Sequence, residues 1–333
     1  MKRFSRAAVF GKFWPLHLGH LKLIENAKKL SESVVVFVDD GNEDVPVNIR
    51  ISWITNEISE VTAVSAPDLC GHESEKCTEK CSKNYAEFLK ADYGDFDAIF
   101  AGDSYGYTLA HTLNITPVIM DRTADGFMGR LIRQNISGHW NDISRSAKAY
   151  YCKRVVVVGA ESTGTTTLSA DLAERLGTVW VPEYGRQFTE EKGTDHQWTS
   201  KDFIYIANRQ MSLEDSAVYE AGPILICDTD ALATYIWHER YMGSKLEEIA
   251  DMARNRKPSL YILTSDDIPF VQDGYRDGEH IRAWMTNRFR DELSQNNLPW
   301  VEVSGTRLQR IESSMAAISE HLGTNWVCQN SVN

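Results

Sequence analysis

Twice in this chain a short apolar run gives way to a glycine-marked loop and then to an amphipathic helix, and that arrangement constrains the fold more than any other feature. The first instance passes from residues 7–10 through Gly11-Lys12-Phe13-Trp14-Pro15-Leu16-His17-Leu18-Gly19-His20 into residues 18–30. There Leu21, Leu23, Ile24, Ala27 and Leu30 recur at helical spacing. The second passes from the four valines at 155–158 through Gly159-Ala160-Glu161-Ser162-Thr163-Gly164-Thr165-Thr166 into a helix reaching about Leu176. Further apolar runs at 34–38, 98–100, 179–181, 224–227 and 261–264 read as buried strands, with a helix around 50–60. Strands alternating with helices predict parallel α/β sheets covered on both faces. The polar, basic and aromatic stretch 135–153 is where the domain boundary is expected, giving domains 1–145 and 152–325.

Composition narrows the classes of partner. The 333 residues are 42% hydrophobic and 25% charged, enough for two cores, and the net charge is -12. A dedicated nucleic-acid surface needs clustered Lys and Arg, so small molecules are expected instead, and the composition permits a homo-oligomer. No apolar run is long enough to span a bilayer and the N-terminus has no signal-peptide core, so no membrane partner and a cytoplasmic location are expected. The six cysteines then read as thiols. Cys70, His72, Cys77 and Cys81 offer four soft ligands, but their spacing matches no common paired form. A solvated insertion with free thiols is the preferred reading over a zinc site.

The first loop has the chemistry of a triphosphate site. His17 and His20 lie three apart at a helix start, so they share a face and meet one phosphate group, aided by free backbone N–H groups and the helix dipole. Gly11 and Gly19 permit close approach, and Pro15 stiffens the turn. Such a site needs no protein nucleophile: it positions an attacking phosphate against the α-phosphate of ATP and stabilises the departing pyrophosphate.

These residues resemble a known family. Gly11-Lys12-Phe13 through His20 is similar to the HxGH signature of nucleotidylyltransferases, in the GKFxPxHxGH form of the bifunctional NMN adenylyltransferase/ribosylnicotinamide kinases of the NadR type. Arg50 and Trp53, the Ala101-to-Gly106 stretch, Ile132-Arg133, His139-Trp140, residues 155–168 and 181–186 follow in that family's order. The resemblance implies an HxGH nucleotidylyltransferase Rossmann-like sheet followed by a P-loop kinase-like sheet. It implies adenylyl transfer from ATP to nicotinamide mononucleotide, giving NAD and pyrophosphate. His17, His20 and Lys12 would hold the ATP phosphates beside Phe13, and Arg133 would close on them. Met128 and Arg130 stand where the family usually has serine and threonine. Trp53 is open to two roles, stacking on a nicotinamide ring or core packing. Repressor members carry an extra helix-turn-helix; with the catalytic strand beginning by residue 7, that domain is expected to be absent.

For the second domain the resemblance implies Mg²⁺-ATP-dependent phosphorylation of nicotinamide riboside. Residues 159–164 would cradle phosphates through backbone N–H groups, with Thr166 and Asp228 toward Mg²⁺ and Thr167 alongside. Asp230 is a further acid near the same strand end. The usual lysine position is Thr165, so a cation must come from elsewhere: Arg186, Arg276 and Arg282 are the candidates, the last two in a lid-like segment. Glu183 is read either as the base for the ribose hydroxyl or as a loop cap. Trp237 and Tyr241, four apart, are expected to be packing residues, and His238 is given no role. Two alternatives stand beside this reading: an adenylyltransferase with a silent, ATP-sensing P-loop domain, and a DNA-binding sensor of NAD, which the acidic charge disfavours.

Overall fold

The computed structural model describes residues 2–41, 44–69, 79–102, 104–120, 128–193 and 195–327. Cys70, His72 and Cys77 lie outside them, whereas Cys81 is buried. The chain divides into two compact units between Tyr150 and Tyr151. The first is built from β1 (Phe4–Gly11), α1 (Leu18–Leu30), β2 (Ser31–Asp39), α2 (Val47–Glu57), β3 (Thr62–Ala66), α3 (Glu79–Asp92), β4 (Ala98–Ala101), α4 (Tyr105–Leu113), β5 (Thr116–Ile119), α5 (Gly129–Gln134) and α6 (Arg145–Tyr151). Its five strands are parallel in the order β3-β2-β1-β4-β5. β1 is central because Ala7, Ala8 and Val9 are wholly buried and can accept helices on both faces. The chain leaves β1 toward β2 and later returns on the other side to β4, so a crevice opens beyond Gly11 and Ala101, where ligands of open α/β sheets bind.

The second unit contains β6 (Lys153–Gly159), α7 (Thr165–Leu176), β7 (Trp180–Val181), α8 (Tyr184–Lys192), α9 (Ser200–Ala217), β8 (Ile224–Asp228), α10 (Ala231–Met242), α11 (Glu247–Asn255), β9 (Leu260–Thr264), α12 (Arg282–Gln295), β10 (Trp300–Val303), α13 (Arg307–Leu322) and α14 (Thr324–Val327). Its sheet is also parallel, in the order β10-β9-β6-β8-β7. The fold is therefore two doubly wound α/β sheets, each with its glycine loop leaving the central strand. Among the described residues no helix is long and apolar enough to cross a membrane.

Three strands were not anticipated from the sequence: β3, β5 and β10. All three are sheet edges with half-exposed residues, and β5 carries Pro117, tolerated there because an edge strand can spare an N–H. The helix expected around 50–60 lies earlier, at Val47–Glu57. It starts directly after Pro46 and stops before Ile58, whose backbone is extended.

Candidate active sites

β1 delivers the first motif to its crevice. Gly11 closes the strand, and a Cβ there would stand 3.1 Å from the Phe13 ring. Phe13 is fully buried with φ of 50°, a left-handed conformation that a bulky residue adopts only when its surroundings fix it. The Trp14–Pro15 peptide is cis. The loop ends at His17, the N-cap of α1. Its N–H donates to His20 Nδ1 at 3.4 Å, and the two rings stack with centroids 3.6 Å apart. Both imidazoles are buried at the N-terminus of a 13-residue helix, whose first turn also holds the buried Gly19.

Arg133 reaches this point from α5. It donates to the Trp14 carbonyl at 2.8 Å and lies over the Trp14 ring at 4.4 Å. A Cβ built on Gly129 would be 3.3 Å from Arg133 Nη1 and 3.9 Å from His17 Nε2, so arginine and histidine converge on one small space. Lys12 is half-buried beside the same loop. Met128 and Arg130, the departures from the usual hydroxyl residues, are exposed.

Two supports of this site were missed by sequence reasoning. Arg50 was noted only for its place in the family order, yet it is 1% exposed. It donates to the carbonyls of Val45 at 2.9 Å, Lys12 at 2.7 Å and Asp39 at 2.8 Å, tying the loop after β1 to the end of β2. An arginine between Trp53 and Pro46 on a buried helix face was the available signal. The second is a backbone bridge between His17 and Ile143, with the Ser144 N–H on the Leu16 carbonyl at 2.9 Å. Trp53 is a core residue, 3% exposed and edge-on to Tyr150 at 5.4 Å.

The second loop surrounds the mouth of a cavity of about 420 Å³. Gly159, Ala160, Glu161, Ser162, Thr165, Thr166 and Thr167 line it, with Glu183, Arg186 and Arg276. Ser162 and Gly164 take φ of 58° and 85°, turning successive backbone units around the space that phosphate would occupy. Thr163 faces the other way: its hydroxyl lies 2.7 Å from the Ala160 carbonyl and 2.7 Å from Thr264 Oγ1. Gly159 has no room for a side chain, since a Cβ would sit 2.2 Å from Thr264 Oγ1 and 2.6 Å from Thr163 Oγ1. Gly159→Ala is therefore expected to destabilise this unit by about 1–3 kcal/mol, read by thermal unfolding, because both hydroxyls are in a packed interior.

Thr166 donates to Asp228 Oδ2 at 2.6 Å, and Asp228 Oδ1 is buried with no hydrogen-bond partner among the described residues. Burial lifts the Asp228 carboxyl to about 6, with hydroxyl hydrogen bonds from Thr166 and Thr165 pulling it back. Glu183 stands at the N-cap position of α8 without a capping hydrogen bond from its side chain, and is pushed up to about 8, chiefly by desolvation and then by the Asp228 carboxylate, with Arg186 and Arg276 opposing. It is half-buried and lines the cavity. Asp230 turns away, capping α10 through the N–H groups of Leu232 and Ala233 and accepting from Tyr261 at 2.6 Å.

Of the three arginines, Arg186 and Arg276 line the cavity. Arg186 donates to Glu190 and Asp273 at 2.6 Å each, and Arg276 reaches Ser162 Oγ at 3.4 Å. Arg282 is not among the lining residues. It donates to the carbonyls of Ile268 at 2.9 Å and Ser162 at 3.2 Å, fastening the segment after β9 to the loop. Arg310, unnoticed in the sequence, is 5% exposed and donates to the Thr163 carbonyl at 2.6 Å, bracing this loop as Arg50 braces the other. The expectation that Trp237 and Tyr241 are packing residues is corrected: with Trp198 and Phe203 they form an aromatic wall of the cavity. Spacing of four put them on one face of α10, and only the position of α9 made that face a wall of the cavity. His238 is structural, between the Ser244 carbonyl and the Ser200 hydroxyl.

The fold and these sites define a class: a nucleotidylyltransferase-type sheet joined to a phosphate-loop sheet. A cytidylyltransferase-like family model matches residues 8–49, and an AAA domain model matches residues 154–310. The chain is similar to NadR-type proteins along most of its length. It is 28% identical over 320 residues to the trifunctional NAD biosynthesis/regulator protein NadR of Escherichia coli strain K12, covering 89% of this chain and 78% of that protein. The Salmonella typhimurium strain LT2 protein is 28% identical over 325 residues, with the same coverage. Two solved structures share the fold at 20% identity: a NadR protein in complex with NR (TM-score 0.76, 96% of both chains) and one in complex with NAD and AMP-PNP (TM-score 0.73, 97% of both chains).

Proposed function

We propose that this chain is a two-site NAD-salvage enzyme. The second unit phosphorylates nicotinamide riboside with ATP, and the first joins the resulting nicotinamide mononucleotide to the adenylyl group of another ATP. The observation that carries the reading is the convergence of His17, His20 and Arg133 at one helix N-terminus, on a chain whose other central strand ends in a second phosphate loop. The NadR relatives are named for NAD biosynthesis, and the solved NadR proteins hold NR, NAD and AMP-PNP.

In the first site a phosphate oxygen of the mononucleotide attacks the α-phosphorus of ATP and pyrophosphate departs. His17, His20, Lys12 and Arg133 would hold the triphosphate and stabilise the charge that moves onto the leaving group. Gly11, Phe13 and Gly19 shape the approach. In the second site the riboside hydroxyl attacks the γ-phosphorus, its proton passes to Glu183, and ADP leaves. Burial and the Asp228 carboxylate raise the Glu183 carboxyl, which makes its ionised form a stronger base toward that proton than an exposed glutamate. The aromatic wall of Trp198, Phe203, Trp237 and Tyr241 suits a cationic pyridinium ring. The unpartnered Asp228 Oδ1 and the Thr166 hydroxyl are hard oxygen donors that fit Mg²⁺, which when bound neutralises phosphate charge. Arg276, with Arg186, supplies the positive charge absent at Thr165, and Arg282 holds the segment that carries Arg276. A cytoplasmic setting, where ATP is plentiful, suits both steps.

Chromatography of products from nicotinamide riboside with Mg²⁺-ATP, beside a matched reaction from the mononucleotide, tests the reading. NAD is expected in both. NAD from the mononucleotide alone would leave the phosphate-loop unit silent, the outcome that Thr165 would favour. NAD from neither would overturn the assignment of the first site.

A further inference from the structure

Glu161 places a carboxylate in a loop that has to bind phosphates, and Thr165 removes the cation that usually balances such a loop. The structure deals with that carboxylate in one way. Arg240 Nη1, from α10, donates to Glu161 Oε1 at 2.7 Å, and the Gly278 N–H donates to Glu161 Oε2 at 2.7 Å. Arg240 Nη2 meets Asp277 in the same segment as Gly278. The two partners are shielded, with side chains 7% and 12% exposed. The Arg240 guanidinium also lies over the rings of Trp237, at 5.0 Å, and Tyr241, at 4.6 Å, the aromatic wall of the cavity. Gly278 packs closely against the pair: a Cβ would be 2.7 Å from Glu161 Oε2 and 3.1 Å from Arg240 Nη2. One arginine thus touches the phosphate loop, the lid-like segment and the aromatic wall.

We infer that Arg240 is a positioning residue of the riboside kinase site, which neutralises Glu161 and holds its carboxylate off the nucleotide phosphates. The inference rests on the reading of this cavity as the ATP and riboside site. Without Arg240 the Glu161 carboxylate is left with a backbone N–H and a nearby acid, Asp277, and its field falls on the phosphates in a half-buried loop. Removing the carboxylate as well removes the repulsion, so the damage is reversible by a second substitution, unlike the loss of a simple brace.

The test compares wild type, Arg240→Gln, Glu161→Gln and the double variant as full chains. ADP is titrated while hydrogen exchange of the peptide spanning the phosphate loop is followed, which reads nucleotide affinity at this site alone and does not depend on turnover. Arg240→Gln is expected to weaken ADP protection by about tenfold or more in the wild-type background, but by less than about threefold when made in the Glu161→Gln background. An Arg240→Gln effect below about twofold in the wild-type background, or one as large in the Glu161→Gln background as in wild type, overturns the inference. Riboside phosphorylation by wild type is measured in parallel. Its absence overturns the kinase reading, and the ADP titration still decides the role of Arg240. Thermal unfolding of each variant checks that the phosphate-loop unit is folded.

Discussion

Replacing His20 by alanine lowers NAD formation from nicotinamide mononucleotide by about two to three orders of magnitude, the loss typical of removing a group aimed at transition-state charge. The substitution acts twice. It takes away one imidazole at the helix N-terminus, and it removes the Nδ1 acceptor of the His17 N–H, so the stacked partner ring loses its support. Mononucleotide formation from the riboside stays within about twofold of wild type, because the second unit has its own phosphate loop and the two sites are about independent in their chemistry. The measurement is initial-rate kinetics for each half-reaction on the same preparation. Full NAD synthesis by His20→Ala would remove the histidine pair from the mechanism.

Asp228→Asn produces the mirror image: riboside phosphorylation falls by about a hundredfold or more while adenylyl transfer is unchanged, since an amide lacks the charge that a phosphate-bound divalent ion requires. The same variant is expected to unfold at higher temperature than wild type at pH 7.5 in metal-free buffer. Burial lifts the Asp228 carboxyl from an ordinary 3.8 to about 6. The folded state therefore holds the proton more tightly than the unfolded chain, and stability is lost as pH rises from the unfolded value through about 6. Asparagine never ionises, so it escapes that loss; below about pH 4 the gain should vanish. A variant less stable than wild type at pH 7.5 would mean that Asp228 has a structural ion pair instead of a functional strain.

The central strands, both glycine loops and the helices that follow them were legible in the sequence because each is a run of local signals. Val155 to Val158 can only be buried, and Leu18–Leu30 keeps its apolar spacing from end to end. The edge strands were not legible, since β3, β5 and β10 are half-exposed and owe their conformation to a neighbour's backbone. The same division holds for the sites. The proposed site residues His17, His20, Gly159, Thr166 and Asp228 stand out by residue type and spacing, because phosphate chemistry would call for such groups next to a strand end. Arg50, Arg310, Arg240 and the Trp237–Tyr241 wall do not, because their partners are backbone carbonyls, a carboxylate and an opposing helix far away in the chain. By itself the sequence determined that this protein has two glycine-marked loops leaving the central strands of two parallel sheets. Only the tertiary structure decided which buried arginines hold those loops in shape and which aromatic face becomes the wall of a cavity, since both depend on contacts that no local pattern encodes.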